Sequence, residues 1–160
     1  MDYRRKILTR SEAVELRSKL AATGSRLVFT NGCFDLLHPG HLRYLAEARA
    51  LGDFLLVGLN SDSSIRFLKG PLRPISLEGV RAEMLAGLAA VDAVVLFGEE
   101  TPLALITALS PDILVKGGDW PVDRIVGAEI VKSRGGLVCS LSLAEGFSTT
   151  ALIAEIQKKV

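Results

Sequence analysis

The run Val28–His41, VFTNGCFDLLHPGH, constrains the fold of this 160-residue chain more than any other stretch. The compact apolar segment Leu27–Phe29 favours a β-strand, and Asn31-Gly32 is a turn signal that ends it. Pro39 is favoured at the first position of a helix, because proline has no N–H group to leave unpaired there. The run therefore predicts a strand, a glycine-containing loop and a helix, in that order.

The two histidines of the chain, His38 and His41, lie three residues apart at the start of this helix, so they should face the same way. Free N–H groups and the helix dipole favour an anion at this end, and Gly32 lets the backbone approach a ligand. These residues alone predict a phosphate site with two histidine donors. A plain turn is the alternative for the glycine, and a zinc half-site with Cys33 is the alternative for the histidines. The order strand, loop, helix favours the phosphate site.

The rest of the chain alternates between strand and helix patterns. Further strands are predicted at Phe54–Leu59, Ala93–Phe97, Pro111–Val115 and Leu137–Leu141. Helices are predicted from Thr9 or Ser11 to about Ala22, from Pro39, from Ser76 or Glu78, from Thr101-Pro102 to Leu109, over Val122–Arg134 and over Ala151–Gln157, with a loop at Ser63–Pro74. This alternation predicts a Rossmann-like, doubly wound parallel sheet of five strands in a single α/β domain.

Apolar spacing predicts which helix faces are buried. Leu42, Leu45 and Ala46 are expected to form the buried stripe of the histidine-bearing helix. Val80, Met84, Leu85 and Leu88 are expected to face inward from the helix that follows Ser76, and Arg81 is expected to be a solvated charge on it.

Composition excludes several functions. The chain is 49% hydrophobic and 23% charged, as in ordinary globular domains, and its net charge of +1 gives no case for nucleic acid or a membrane surface as partner. Neither an export signal nor a segment of transmembrane length is evident, so a cytoplasmic location is expected. Cys33 and Cys139 are far apart and suggest no disulfide framework.

Polar residues follow the second and fourth predicted strands. Asn60 and Asp62 stand at the end of the second strand, where parallel sheets bind ligands, although Asp62 also suits a helix cap. Lys116 offers a charge to phosphate after the fourth strand, and Asp119 offers a hydrogen-bond acceptor. Trp120 is either a pocket wall or a packing plug.

Two further segments suit phosphate binding. Lys69 and Arg73 make the predicted loop cationic, so that it is either a cover for a triphosphate or an exposed polar loop. Three hydroxyls, Ser148, Thr149 and Thr150, open the last helix, either as caps or as donors to an anion.

These motifs resemble the HxGH nucleotidyltransferase superfamily. They are TNGCFDLLHPGH, LNSD at Leu59–Asp62, Arg73-Pro74 with Arg81 following, LVKGGDW at Leu114–Trp120 and GFSTT at Gly146–Thr150. The match runs from about Arg26 to the C-terminus and lies in the cytidylyltransferase-like family. KGGDW and GFSTT make it most similar to the branch of bacterial D-glycero-β-D-manno-heptose 1-phosphate adenylyltransferases.

The resemblance implies a strand order of 3-2-1-4-5 and one nucleotidyltransferase domain over residues 1–160, with 1–24 a helical extension and 26–160 the catalytic core. The implied reaction transfers AMP from ATP to heptose 1-phosphate, giving ADP-heptose for lipopolysaccharide and pyrophosphate. Mg²⁺ is expected on the ATP phosphates, with no protein metal site. We expect a separate kinase to supply the heptose 1-phosphate, and a homodimer is compatible with the family.

The resemblance also implies roles for individual residues. The catalytic set is His38, His41, Lys69 and Arg81. The nucleotide-binding set is Thr30, Asn31, Gly32, Cys33, Phe34, His38, Gly40, His41, Lys116, Gly117, Asp119, Ser148, Thr149 and Thr150. The substrate-binding set is Asp35, Asn60, Asp62, Lys69, Arg73 and Trp120, with Asp35 reaching either the metal or the sugar. Ile153 stands where the superfamily motif ISSTxxR has arginine, which leaves Lys69, Arg81 or Lys116 to supply that charge.

Three other functions remain as alternatives. A CTP-dependent enzyme acting on a polyol phosphate, such as glycerol 3-phosphate, would use the same loop and histidines. A non-catalytic nucleotide-binding module would bind triphosphate without releasing pyrophosphate. A dinucleotide-dependent oxidoreductase is disfavoured, because no GxGxxG follows the first predicted strand.

Overall fold

A computed structural model describes residues 2–118, 120–143 and 146–160 of the chain. In chain order its elements are β1 (Ile7–Leu8), α1 (Arg10–Ala22), β2 (Leu27–Gly32), α2 (Pro39–Ala50), β3 (Phe54–Asn60), α3 (Asp62–Lys69), α4 (Glu78–Ala86), β4 (Ala93–Phe97), α5 (Leu103–Leu109), β5 (Ile113–Gly117), α6 (Ala128–Ser133), β6 (Leu137–Leu141) and α7 (Thr149–Lys159). Short 3-10 turns occur at Tyr3–Lys6 and Val122–Arg124.

The strands form one parallel sheet in the order β1-β4-β3-β2-β5-β6. The predicted doubly wound parallel class is confirmed, but the predicted count of five strands, and the order built on it, are wrong. The sixth strand is β1, in which Ile7 pairs with Val94 at the sheet edge. Two residues are too few to show a periodicity, so the sequence pattern could not reveal β1. The five predicted strands keep their expected neighbours inside the larger sheet.

The predicted loop at Ser63–Pro74 is wrong in its first half, where α3 forms. The Ser61 hydroxyl caps this helix by accepting a hydrogen bond from the Ser64 N–H at 3.2 Å. The predicted helix Val122–Arg134 is also too long, because Gly127 takes a left-handed conformation (φ 86°) and separates the 3-10 turn from α6.

Helices cover both faces of the sheet, and each face has its own apolar core. Ala13 of α1, Ile106 of α5 and Val131 of α6 pack on one face, with Phe29 of β2. Residues of α2 and α4 pack on the other face, against Val28 and its neighbours. The alternation of Val28 and Phe29 between the two cores is the two-residue period of a strand that is buried on both sides.

The predicted buried stripes of α2 and α4 were partly wrong. In α2 the buried residues include Tyr44, Leu45 and Ala48, whereas Leu42 and Ala46 are exposed. In α4 Leu85 is buried as predicted and Leu88 is partly buried, but Val80 and Met84 are exposed, and Arg81, Ala82 and Ala86 take the inward positions. None of the helices in the described ranges has the length and hydropathy of a membrane-spanning segment.

Candidate active site

The loop from β2 to α2 sets the geometry of the two histidines. His38 occupies the N-cap of α2 and Pro39 its first turn, as predicted. The His38 backbone N–H donates to Nδ1 of His41 over 3.4 Å, and the two imidazole rings stack with centroids 3.8 Å apart. Because Nδ1 of His41 is an acceptor here, its proton is on Nε2. His41 therefore offers one N–H donor to the cavity that it lines.

Close packing at the start of α2 explains the glycine at position 40. A Cβ atom on Gly40 would lie 3.0 Å from Nδ1 of His38 and 3.1 Å from Cβ of Phe147. Phe34 and Leu36 have positive φ angles of 46° and 49°, which side-chain-bearing residues rarely adopt. Such strained backbone commonly occurs at functional sites.

Burial favours the neutral form of both imidazoles. It lowers the pKa of His38 below its ordinary value. It also lowers the pKa of His41 to about 4, with smaller electrostatic contributions from His38 and Lys69. A neutral imidazole next to cations is a hydrogen-bond donor and not a proton source at neutral pH.

Positive charge converges on the cavity from three elements. Lys69 ends α3, Arg73 lies in the following loop, and Lys116 lies near the end of β5. Neither lysine ammonium makes a hydrogen bond or ion pair with the residues that the structure describes. Burial lowers the pKa of Lys116. Because both lysines are unpaired among the described residues, they are suited to bind an anionic ligand.

The last helix adds a second N-terminus next to the first. Ser148 caps α7 by accepting from the Ala151 N–H at 3.0 Å, so the capping role proposed from the sequence is confirmed. Thr149 Oγ1 donates to the Asp35 carbonyl at 2.7 Å and ties α7 to the histidine loop. Phe147 stacks on His38, with ring centroids 6.2 Å apart. Two helix N-termini thus lie beside one cleft, where they favour an anion.

The cleft consists of a main cavity of about 550 Å³ and an adjoining one of about 230 Å³ at the carboxyl edge of the sheet. Both are lined by His41, Lys69, Arg73 and Thr149. Other predicted residues that line the main cavity are Asn31, Gly32, Cys33, Phe34, Asp35, Asn60, Lys116, Gly117 and Trp120. His38, Gly40, Ser148 and Thr150 line the adjoining one.

Among the described residues, three that were predicted for the site do not line the cleft: Thr30, Asp62 and Arg81. Thr30 is fully buried, and its hydroxyl pairs with that of Tyr44 at 2.5 Å. Asp62 forms an ion pair with Arg81 at 2.8 Å. Asp119, which was also predicted for the site, lies outside the described residues.

Arg81 is not the solvated charge that its residue type suggested, because it is 1% exposed. Its guanidinium donates to the carbonyls of Ser76, Cys33 and Asn60 as well as to Asp62. These four hydrogen bonds commit the guanidinium inside the protein. The geometry favours a positioning role, in which Arg81 joins α4 to the ends of β2 and β3.

Asp35 is likewise committed within the protein. Its carboxylate accepts from the N–H groups of Ile75 and Ser76 at 2.8 and 3.0 Å and from Arg73 Nε at 2.9 Å. Burial alone would raise the pKa of Asp35, but these three donors together lower it. Asp35 therefore anchors the loop after α3, which carries Arg73, beside the cleft. Both of its carboxylate oxygens accept these hydrogen bonds, so the geometry favours an anchoring role over the predicted contact with a metal or a sugar.

The described side chains of the site do not form a set of metal ligands. Within residues 2–118, 120–143 and 146–160 no group of three or more His, Cys, Asp or Glu side chains is placed to hold a metal ion. The described part of the cleft therefore suits a metal only if phosphate oxygens bring it.

Seven cavity residues were missed from the sequence: Tyr44, Leu68, Glu100, Thr101, Pro102, Val126 and Leu143. Tyr44 lies one helical turn after His41, so the spacing on α2 could have indicated it. Glu100 and Thr101 follow β4 at its carboxyl end, the same signal that identified Asn60 and Lys116. Nothing in the sequence pattern around the apolar residues indicated that they line the cavity.

Comparison with known proteins places this site in a family. The family model described as cytidylyltransferase-like matches residues 29–154. The chain therefore belongs to the cytidylyltransferase-like family, which confirms the nucleotidyltransferase class predicted from the sequence.

Relatives and solved structures are consistent with this. The chain is 57% identical over 133 residues to the bifunctional protein HldE of Hyphomonas neptunium, covering 83% of this chain and 27% of the relative. It is 57% identical over 148 residues to the HldE of Koribacter versatilis, covering 92% and 30%. The chain thus spans less than a third of the length of these curated relatives.

Among solved structures, a lipopolysaccharide core biosynthesis protein from Thermoplasma volcanium has a TM-score of 0.61 and 31% identity, covering 76% of this chain and 98% of that one. Pantothenate synthetase from Thermus thermophilus has a TM-score of 0.59 at 18% identity, covering 96% of this chain and 70% of that one, which shows a shared fold only.

Proposed function

We propose that this chain transfers AMP from ATP to D-glycero-β-D-manno-heptose 1-phosphate, releasing pyrophosphate and forming ADP-heptose for the lipopolysaccharide core. The observation that carries the proposal is the convergence of His41, Lys69 and Lys116 with two helix N-termini on one cleft. The similarity to HldE proteins and to a lipopolysaccharide core biosynthesis protein supports the choice of acceptor.

In this reaction an oxygen of the sugar phosphate attacks the α-phosphorus of ATP. A new P–O bond forms, the bond to the β-phosphate bridging oxygen breaks, and pyrophosphate leaves with that electron pair. The attacking phosphate oxygen is already ionised at neutral pH, so no residue has to remove a proton from it. Catalysis then depends on alignment and on stabilising the growing negative charge.

The residues of the cleft suit that task. His41 would donate from Nε2 to an α-phosphoryl oxygen, and its stacking on His38 fixes the ring plane. Lys69 and Lys116 would stabilise the charge of the triphosphate, and the terminal nitrogens of Arg73 are available because its Nε alone is used by Asp35. Mg²⁺ would be held by the ATP phosphates, where it offsets their charge.

The experiment that tests the proposal is pyrophosphate release from ATP, CTP, GTP and UTP with Mg²⁺, each with heptose 1-phosphate and with glycerol 3-phosphate. Release confined to ATP with heptose 1-phosphate is the expected result. Release with CTP and glycerol 3-phosphate would instead establish the polyol-phosphate cytidylyltransferase that the family description keeps as the second candidate. Triphosphate binding without release in any pairing would favour the non-catalytic module.

A further inference from the structure

The segment after β4 supplies the main cavity with a carboxylate that the proposed chemistry does not use. Glu100, Thr101 and Pro102 line the cavity. The Glu100 side chain makes no hydrogen bond or ion pair with the residues that the structure describes. Its neighbour Glu99 differs in both respects, because it pairs with Arg10 at 2.6 Å and does not line the cavity.

A carboxylate at this place is unsuited to the triphosphate. Phosphate oxygens and a carboxylate repel each other, and the cations of the cavity lie elsewhere, on α3, in the loop that follows it and on β5. A carboxylate accepts hydrogen bonds only, and it can accept from two adjacent hydroxyl groups at once. The ligand group that fits Glu100 is therefore a polyhydroxylated one, either the ribose of the nucleotide or the sugar of the acceptor.

The strand order of the sheet indicates which of these two sugars lies next to Glu100. β4 lies two strands from β2, about 10 Å at roughly 4.8 Å per strand, on the side of β2 opposite to β5. The triphosphate is expected at the switch point between β2 and β5, and the nucleoside beyond it meets the loop after β5, with Gly117 and Trp120. The β4 end of the cavity is then left for the acceptor.

We propose that Glu100 accepts hydrogen bonds from the hydroxyl groups of the acceptor sugar phosphate and makes the site specific for a polyhydroxylated acceptor. This inference rests on the proposed function, since it requires transfer to a sugar phosphate. Glu100 binds the acceptor away from the reacting phosphorus, so it acts on acceptor affinity and leaves the chemical step alone.

The test compares Glu100→Gln with the matched neighbour Glu99→Gln. Both side chains are exposed, so neither substitution disturbs packing. In Glu100→Gln the KM for heptose 1-phosphate rises about tenfold, which corresponds to about 1.4 kcal/mol and to the loss of one charge-assisted hydrogen bond. The KM for ATP and kcat stay within about twofold, and Glu99→Gln changes none of the three.

Any other kinetic result for Glu100→Gln would overturn the inference that this residue binds the acceptor sugar. A rise confined to the KM for ATP would place Glu100 on the ribose, and an unchanged KM for both substrates would show that it binds neither. A fall in kcat alone would place it in the chemical step. If the unsubstituted protein released no pyrophosphate with any sugar phosphate, the proposed function itself would fail, and this inference with it.

Discussion

The backbone N–H of His38 donates to Nδ1 of His41, 3.4 Å away, and the two rings stack 3.8 Å apart. The first histidine therefore fixes both the tautomer and the ring plane of the second. This relationship explains why the spacing of the two histidines matters, since the bond joins the N-cap residue to the third residue of the helix.

Replacing His41 tests its role as the donor to the transferring phosphoryl group. His41→Ala should reduce kcat by about 10²–10³-fold, the usual cost of losing one such donor. The dissociation constant for ATP should rise less, because Lys69, Lys116 and the helix N-termini remain. Steady-state kinetics and calorimetric ATP titration measure the two effects. Glu47→Ala, exposed on the same helix, is the control, and a near-normal kcat in His41→Ala would refute the assignment.

Replacing Gly40 with alanine tests whether catalysis requires the close packing of His38 against the start of α2. In Gly40→Ala the new Cβ would lie 3.0 Å from Nδ1 of His38, so the ring must shift, and kcat should fall at least about tenfold.

The matched control is Gly79→Ala, because Gly79 is also the second residue of its helix and a Cβ added to it would have no neighbour within 4 Å. It should keep full kcat and gain about 0.5–1 kcal/mol of unfolding free energy, as helix glycine-to-alanine changes do. Equal kcat in the two variants would contradict the packing argument.

The pH dependence of stability reports the burial of His41. Its pKa is about 4 in the folded protein against an ordinary value of 6.5. Between these values the unfolded chain binds a proton that the folded protein does not bind, so the stability contribution is fully present above pH 6.5 and is lost as the pH falls toward 4. Because the ring is partly exposed, we expect a loss of about 1–2 kcal/mol.

Urea unfolding at a series of pH values measures this slope. His41→Gln should show a flatter profile than the unsubstituted protein over the same range, because the variant lacks the titrating group. Parallel profiles would show that His41 is not desolvated.

Replacing Asp35 tests whether its carboxylate anchors the loop after α3, which carries Arg73. Asp35→Asn leaves Arg73 without its buried partner, so the unfolding free energy should fall by about 3 kcal/mol, and the KM for ATP should rise as the loop loosens. Asp123→Asn breaks an exposed pair with Lys132 and should change neither quantity appreciably. Unchanged stability in Asp35→Asn, measured by urea unfolding, would contradict the anchoring role.

Replacing Arg81 with lysine distinguishes a positioning role for this residue from a catalytic one. Arg81→Lys cannot reproduce the four hydrogen bonds of the guanidinium, so it should lose about 2–4 kcal/mol of unfolding free energy. Arg10→Lys, in an exposed pair with Glu99, is the control. Normal stability with a large fall in kcat would show instead that Arg81 contacts the phosphates.

The sequence was most informative where local chemistry determines structure. Pro39 predicted the start of α2, although Asn31 and Gly32, which were expected to end the strand in a turn, lie within β2. Thr9, one of the two residues predicted to begin α1, forms a capping box with Glu12. The sequence was least informative where tertiary contacts determine whether a side chain is buried. An arginine among apolar residues of α4 is expected to be solvated, yet Arg81 is buried because carbonyls from two distant strand ends converge on it.

The same limit applies to the site. His38, His41 and Lys116 were predicted for the site because their residue types and positions in the chain have a chemical signature, and all three line the cleft. Glu100 was missed, because a run of two glutamates after a strand looks like a solvated turn until the folded chain shows that only one of them lines the cavity. The commitment of Asp35 to Ile75 and Ser76 also depends on residues about 40 positions away in the chain.

The most direct test of the central claim is to identify the product formed from ATP, Mg²⁺ and heptose 1-phosphate by mass spectrometry, using acceptor with ¹⁸O in its phosphate. We expect ADP-heptose that carries all of the label, together with unlabelled pyrophosphate, because the acceptor oxygen attacks the α-phosphorus. Label in pyrophosphate, or ATP consumed without a nucleotide sugar, would contradict it.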